Sequence, residues 1–261
     1  MSLRTFLPQG QTTRGWREHR GVDENDMTFK LFIHIPKNGG MTIRKIDGIQ
    51  NKVLFCRHGH HVSMDYTKRL EQKMHNTNDH HGYEHARWRD WRKDLREQYK
   101  AFAIVRNPWD RVVSRYLFAK KIMFHEGTQP KTYADTSSFE AFLEERHKWG
   151  DDEFMWHRAV RGWYPAFDHV SDEKGEKVKC DILRFEHYNE DTKLYLGMLQ
   201  NPNPRNVTRV SSDNGNTGYG LSYKDIYTKE TIQIIADWYK KDIDYWGFDF
   251  DTAATRNYWN A

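Results

Sequence analysis

The sequence has 261 residues, with 41 Lys and Arg against 37 Asp and Glu, and its net charge of +4 is too small to indicate a nucleic-acid-binding protein. Although only 37% of the residues are hydrophobic, 10 Trp, 14 Tyr and 14 Phe supply enough large apolar side chains for a folded core, so we expect no global disorder. No run approaches the roughly 20 apolar residues of a membrane span, and the first residues lack the apolar core of a secretory signal. We therefore expect a soluble, cytoplasmic protein with an N-terminal extension (1–28), one domain (29–250) and a C-terminal tail (251–261).

Both cysteines, Cys56 and Cys180, lie in short apolar runs that are typical of buried strands. Two such thiols do not form the set of bridges that stabilises small secreted proteins. We therefore expect reduced thiols and a reducing compartment.

Strand and helix signals alternate along the chain. The apolar run 29–35 predicts a strand, the breakers at 36–40 predict a turn, and the run 41–46 predicts a helix. Three further β-rich runs predict strands that end in polar residues, and they are 52–56, 101–105 and 179–185.

Two later helices have favourable N-caps in the sequence. Asn107 precedes Pro108, a residue suited to the first turn of a helix, and Thr228 precedes a second amphipathic segment. Strands that alternate with helices predict an α/β fold with a central, mostly parallel sheet flanked by helices.

Two polar stretches, 75–91 and 201–220, are predicted to be loops. A Trp- and Arg-rich segment, 87–93, begins within the first loop. Its aromatic and guanidinium groups can contact a sugar or an anionic polymer. The alternative, which we favour, is an amphipathic helix with Trp88, Trp91 and Leu95 on its core face.

Residues 36–42, Pro-Lys-Asn-Gly-Gly-Met-Thr, form a candidate anion-binding loop. Glycines let backbone N–H groups approach an anion, and the helix that follows adds the positive end of its dipole. The loop lacks the Walker A pattern because the lysine precedes the glycines, which argues against magnesium-dependent nucleotide hydrolysis. Lys37 can instead stabilise negative charge that builds up on a phosphate held in the loop. On its own, the segment is equally compatible with a surface lysine in a tight turn.

A second segment, 105–116, places Arg106 at a strand end and Ser114 two turns into the next helix. An arginine at a strand end can bind a phosphate with its planar guanidinium group. Taken alone, the segment also fits a helix with solvated arginines along one face.

Together the two segments resemble the PAPS-dependent sulfotransferase family, in particular the branch of Golgi carbohydrate sulfotransferases that modify heparan sulfate and its soluble microbial and viral relatives. The matching segments read Phe-Ile-His-Ile-Pro-Lys-Asn-Gly-Gly-Met-Thr at 32–42 and Val-Arg-Asn-Pro-Trp-Asp-Arg-Val-Val-Ser-Arg-Tyr at 105–116. Weaker similarity extends the resemblance over 29–250. It implies a P-loop-like three-layer fold and transfer of a sulfuryl group from 3′-phosphoadenosine-5′-phosphosulfate (PAPS) to a hydroxyl, which leaves 3′-phosphoadenosine-5′-phosphate (PAP).

The resemblance also implies where the donor binds: the first segment holds the 5′-phosphosulfate and the second holds the 3′-phosphate. Asn38 and Met41 stand where the family commonly has Thr, but we expect binding to survive because backbone N–H groups make most of the contacts. The implied donor-binding residues are Lys37, Asn38, Gly39, Gly40, Met41, Thr42, Arg106, Ser114 and, in the loop expected to close over the nucleotide, Arg209.

Transfer to a hydroxyl requires a base, and histidine suits neutral pH. Relatives place a histidine after the second strand, which here indicates His58, His60 and His61. The spacing around His61 best resembles the family, so His61 is the first candidate and His60 the second. A metal site built from these three histidines is an alternative, but no acidic or cysteine ligand has suitable spacing nearby, and we expect no metal.

The remaining polar candidates have less defined roles. Four downstream histidines are expected to be solvated loop residues or acceptor contacts, and they are His75, His80, His81 and His85. Glu186, at the end of the fourth predicted strand, can orient a lysine or histidine, act as an alternative base, or pair with an arginine.

The sequence thus predicts a PAPS-dependent sulfotransferase that acts by metal-free, in-line transfer, with Lys37 stabilising the departing phosphate. The family favours a carbohydrate hydroxyl as acceptor and indicates no nucleic-acid or membrane partner. Two other classes remain open. One is a P-loop-like kinase or other nucleotide-binding enzyme, for which magnesium ligands are not apparent. The other is a non-catalytic module that binds a glycan or a nucleotide.

Overall fold

The central sheet has four strands that all run parallel. The structure, a computed structural model, describes residues 29–77, 82–125, 134–149, 163–197 and 222–251. Within these residues the strands are β1 (Lys30–Ile33), β2 (Val53–Phe55), β3 (Lys100–Val105) and β4 (Cys180–Arg184). Their order is β2-β1-β3-β4, and every pairing is parallel. All four predicted strands are confirmed, with ends that differ by one or two residues.

Alternate side chains of the strands face opposite sides of the sheet, and each side has its own apolar core. On β1, Leu31 and Ile33 belong to the larger core cluster, whereas Phe32, between them, belongs to a second cluster. Because both faces are covered, the sheet is the middle layer of three, which confirms the predicted α/β class.

The helices of the described residues follow the predicted order, with one difference in length. The helix after the glycine-rich turn, α1, has only four residues and is shorter than the prediction. Thr228 caps its helix as predicted, since its side chain accepts a hydrogen bond from the N–H of Thr231. The helices are α1 (Gly40–Ile43), α2 (Met64–Thr77), α3 (Lys93–Gln98), α4 (Pro108–His125), α5 (Phe139–Trp149), α6 (Ala166–His169), α7 (Tyr188–Leu196), α8 (Lys229–Trp238) and α9 (Lys240–Trp246).

The predicted amphipathic helix around Trp88 and Trp91 is wrong in its secondary structure. A 3-10 turn covers Trp88–Asp90, and Trp91 then forms an isolated antiparallel bridge with Val62 before α3 begins. The predicted burial is confirmed for Trp91, which is 1% exposed. The backbone bridge between Trp91 and Val62 therefore joins this segment to the residues that follow the histidine cluster after β2.

Several expectations concern compartments and boundaries. Cys56 and Cys180 are buried free thiols, as predicted. In the part of the chain that the structure describes, no helix is both long enough and apolar enough to cross a membrane. The predicted extension (1–28), nearly all of the tail (251–261) and the predicted loop 201–220 lie outside the described residues.

The carboxyl ends of the four strands share one edge of the sheet because all strands are parallel. The candidate anion-binding loop follows β1, and the histidine cluster follows its neighbour β2. Arg106 follows β3 and Glu186 follows β4. These four groups, which are far apart in sequence, therefore lie along one edge of the sheet.

Candidate active site

The loop after β1, residues 36–42, has the backbone of an anion-binding site. Lys37 and Gly39 have positive φ angles of 67° and 83°. Three successive N–H groups, those of Gly39, Gly40 and Met41, make no hydrogen bond within the described residues. Unpaired N–H groups at the start of a helix can bind phosphate or sulfate oxygens.

Two buried side chains hold this loop in place. The amide of Asn38, which is 1% exposed, donates a 2.8 Å hydrogen bond to the carbonyl of Ile104 in β3. From α4, Nε of Arg111 donates to the carbonyl of Pro36 at 3.2 Å. The Asn38 side chain therefore fastens the loop to the sheet, and its own N–H is engaged by the carbonyl of Ile35.

Arg106 connects the two halves of the predicted donor site. Its Nη1 donates to the carbonyl of Lys37 at 3.0 Å, its Nε donates to Asp110 at 2.6 Å, and its Cζ lies 4.1 Å from the ring centroid of Phe185. Only Nη2 makes no hydrogen bond with the described residues. The sequence predicted that the planar guanidinium of Arg106 can bind a phosphate, and in the structure Nη2 is the nitrogen left for such a contact.

Lys37 is half-buried, and its side chain extends toward α4. Its ammonium lies 4.3 Å from the ring centroid of Phe118, a cation–π contact that keeps the charge near the loop. Ser114, on the same helix as Phe118, is partly exposed, as is Thr42, whereas Met41 is 59% exposed. The predicted donor-binding residue Arg209 lies outside the described residues.

The histidines after β2 form a compact group. The ring centroids of His60 and His61 are 4.1 Å apart, and those of His58 and His60 are 5.3 Å apart and stacked. Burial, together with the nearby His58 and Arg92, lowers the pKa of His60, which favours the neutral form that a base requires. Nδ1 of His61 accepts a 3.4 Å hydrogen bond from the N–H of Arg57.

A second histidine pair lies behind the loop. The expectation that His85 is solvated is wrong, because it is 8% exposed and its Nδ1 donates to the carbonyl of His34 at 2.9 Å. The ring centroids of His34 and His85 are 4.4 Å apart. No local sequence pattern indicates this pair, since residues distant in sequence form it.

These two histidines and Glu84 offer metal-ligand atoms within 4.8 Å of one another, which the sequence did not indicate. Arg44 lies in the same cluster: it forms a 2.9 Å ion pair with Glu84 and donates to Nδ1 of His34 at 3.4 Å. Because the Arg44 guanidinium already pairs with Glu84 and contacts His34, its positive charge opposes the binding of a metal cation to these ligands.

Glu186 lies on the Arg106 side of the site. Its Oε1 accepts a 2.6 Å hydrogen bond from the N–H of Asn107. This contact gives Glu186 a role that the sequence did not indicate, which is to hold the turn after β3.

Comparisons with known proteins address the identity of this site. The model of the sulfotransferase family matches residues 24–249, and no curated protein gives a significant match. Among solved structures, mouse sulfotransferase SULT7A1 complexed with PAP is 14% identical with a TM-score of 0.41, over 83% of this chain and 84% of that chain. Retinol dehydratase in complex with androsterone and the inactive cofactor PAP is also 14% identical with a TM-score of 0.41, over 90% of this chain and 84% of that chain.

The family match spans most of the chain and includes both motifs, the loop at 36–42 and the segment that begins at Arg106. The site along the edge of the sheet has the parts that these motifs predicted: unpaired N–H groups, a lysine and a strand-end arginine. The chain therefore belongs to the sulfotransferase family, and the predicted enzyme class, a PAPS-dependent sulfotransferase, is confirmed at the level of that family.

Proposed function

We propose that this protein transfers the sulfuryl group of PAPS to a hydroxyl of a carbohydrate, with a histidine after β2 as the base. The observation that carries the proposal is the loop at 36–42, where three unpaired N–H groups lie next to Lys37. The carbohydrate acceptor rests on the resemblance of the two motifs to the carbohydrate branch of the family.

In the proposed reaction, the groups along the sheet edge act on the donor and the acceptor together. The acceptor oxygen attacks sulfur in line with the bridging oxygen, the bond between sulfur and that oxygen breaks, and its electron pair stays on the 5′-phosphate of PAP. Lys37 and the loop N–H groups stabilise the negative charge that develops there. The proton of the acceptor passes to His61 or His60.

The fixed backbone of the loop supports this role for Lys37. Its carbonyl is held by Arg106 and its neighbour Asn38 is fastened to β3, so the ammonium starts from an anchored position. A preorganised donor needs little rearrangement as charge develops, which is the main advantage of such groups over water.

Thermal unfolding with PAP, 5′-AMP and magnesium-ATP tests the donor site first. A ligand at about 100 times its dissociation constant stabilises the folded state by about 2.7 kcal/mol. We expect PAP to stabilise the protein most and a chelator to change neither this shift nor the activity. Stabilisation by magnesium-ATP alone would favour the kinase alternative and contradict the proposal.

Lys37→Ala separates a transferase from a binding module. Loss of one donor to the developing anion typically lowers kcat by about 10²–10³-fold, and we expect PAP affinity to change much less. Lys45→Ala is the matched control, because Lys45 is an exposed lysine just after α1. Unchanged transfer by Lys37→Ala would refute the mechanism.

Single alanine variants of His58, His60 and His61 identify the base. Removing a general base typically costs about 10²–10⁴-fold in kcat and removes the acidic limb of the pH–rate profile. We expect His61→Ala or His60→Ala to show both effects and His58→Ala neither. Transfer to heparan-type glycans, monosaccharides, sterols and simple alcohols then tests the acceptor class, and a sterol or alcohol preference would overturn the carbohydrate proposal.

A further inference from the structure

The carboxyl group of Glu186 is attached to the turn that carries Arg106. Oε1 accepts the N–H of Asn107 at 2.6 Å, while Oε2 is buried and makes no hydrogen bond with the described residues. A buried carboxyl oxygen without a partner is uncommon and destabilising, which suggests that the position serves a purpose other than stability.

Asn107 follows Arg106 directly and links it to Glu186 through its backbone N–H. The side-chain Oδ1 of Asn107 accepts the N–H of Trp109 at 3.0 Å, and its Nδ2 donates to the carbonyl of Asp249 at 2.9 Å. Asn107 thereby joins the start of α4 to the C-terminal segment, directly after Arg106. Because Glu186 follows β4, its hydrogen bond to Asn107 also connects the end of β4 to this junction.

The charges next to this turn do not balance when Glu186 is ionised. Arg106 and Asp110 already form a buried ion pair with an N–O distance of 2.6 Å. Among the residues that the structure describes, an ionised Glu186 therefore adds a negative charge without a positive partner of its own. Burial raises the pKa of Glu186 to about 7, with Asp110 adding to the rise and Arg106 opposing it.

Two further groups face the same carboxyl. Arg184 lies within electrostatic range, but its guanidinium makes two hydrogen bonds to Asp191, at 3.0 and 2.7 Å. Tyr223 also lies in range, and burial raises the pKa of its phenol, so it stays neutral. Neither group supplies a positive charge that would compensate for an ionised Glu186.

A 3′-phosphate at Arg106 adds nearly two more negative charges to this region at neutral pH. We propose that Glu186 is a positioning residue for the donor, which holds the Arg106 turn and takes up one proton from solution when the 3′-phosphate binds. The proposal rests on the proposed function, because it needs the 3′-phosphate at Arg106. The proton adds to Oε2, while Oε1 continues to accept the N–H of Asn107.

Proton uptake makes donor affinity depend on pH. Where Glu186 is ionised in the free protein, above about pH 7, PAP affinity should fall by up to about tenfold per pH unit. The second ionisation of a phosphate lies near pH 6 and is nearly complete in that range, so the ligand itself contributes little.

Isothermal titration calorimetry of the full chain with PAP tests this proposal. Titrations between about pH 6 and 9, in pairs of buffers with different ionisation enthalpies, count the protons bound per PAP. Glu186→Gln mimics the neutral acid, and Glu190→Gln is the matched control, because Glu190 is an exposed carboxylate in the first turn of α7. We expect proton uptake near pH 8 by the wild type and by Glu190→Gln, but none by Glu186→Gln. The PAP affinity of Glu186→Gln should therefore not change with pH in the upper part of this range.

Equal proton uptake by the wild type and Glu186→Gln would overturn the proposal. Absence of uptake by the wild type near pH 8 would also overturn it, whether or not the variant folds. If the wild type binds PAP without taking up a proton, only this proposal fails, whereas absence of PAP binding removes the proposed function as well.

Discussion

Gly40, in the anion-binding loop, packs so closely against the His34 ring that a single added methyl group tests this packing directly. A Cβ atom there would lie 2.1 Å from both Cδ2 and Nε2 of His34, far inside any nonbonded contact. The His34 ring has little room to move, since it is 6% exposed and lies 4.4 Å from the ring of His85 and 5.5 Å from that of Phe32. The backbone of Gly40 is helical, so without this contact alanine would stabilise it by up to about 1 kcal/mol.

We therefore expect Gly40→Ala to lower the free energy of unfolding by about 1–3 kcal/mol, the usual cost of overpacking a filled site. That corresponds to a fall in Tm of roughly 2–12 °C for a protein of this size. The stabilisation by PAP should fall as well, because the displaced loop carries the unpaired N–H groups. Gly59→Ala is a milder control, since the Cβ atom of its alanine would lie 3.2 Å from its nearest neighbour, the Tyr83 hydroxyl oxygen.

Denaturant unfolding of the wild type, Gly40→Ala, His34→Ala and the double variant isolates the contact. Removing the ring makes room for the methyl group, so the Gly40→Ala substitution should cost at least about 0.5 kcal/mol less in the His34→Ala background. A Gly40→Ala protein as stable as the wild type, or the same cost with and without the imidazole, would refute the steric argument.

Three other predictions concern buried groups. Asn38→Ala removes the donor to the carbonyl of Ile104, so it should cost about 1–3 kcal/mol in denaturant unfolding and weaken PAP binding, whereas unchanged values would contradict an anchoring role. Burial raises the pKa of Asp242 from 3.8 to about 6, so the folded state binds this proton more tightly and the free energy of unfolding falls as pH rises through that window. In Asp242→Asn the free energy of unfolding should depend less on pH in this window. If the wild type and the variant showed the same pH dependence, the prediction would be wrong. Burial also raises the pKa of Cys56, and that of Cys180 to about 12, so neither thiol should react with a disulfide reagent until the protein unfolds.

The architecture could be predicted from the sequence because its signals are local. Each strand is a short β-rich run that ends in polar residues, and parallel strands bring those ends to one edge without further information. The positions of Lys37, the histidines after β2 and Arg106 along that edge follow from this rule.

The partners of the site residues could not be predicted in the same way, because tertiary contacts decide them. His85 is buried by its bond to the backbone of His34, which lies 51 residues earlier in the chain. The ion pair of Arg106 with Asp110 had a local signal, since the two residues are oppositely charged and only four positions apart across the start of α4. The bond from Arg106 to the carbonyl of Lys37 had none.

Among the described residues other than glycine, Lys37 alone has a positive φ angle. The left-handed conformation costs a residue with a Cβ atom roughly 1–2 kcal/mol that glycine does not lose. Local backbone preference therefore favours glycine at this position, whereas the proposed mechanism requires lysine. A library of variants screened only for heat resistance should enrich glycine at residue 37, and by the proposed mechanism those variants lose transfer activity. A stabilised version of this enzyme therefore has to be selected for turnover as well as for folding.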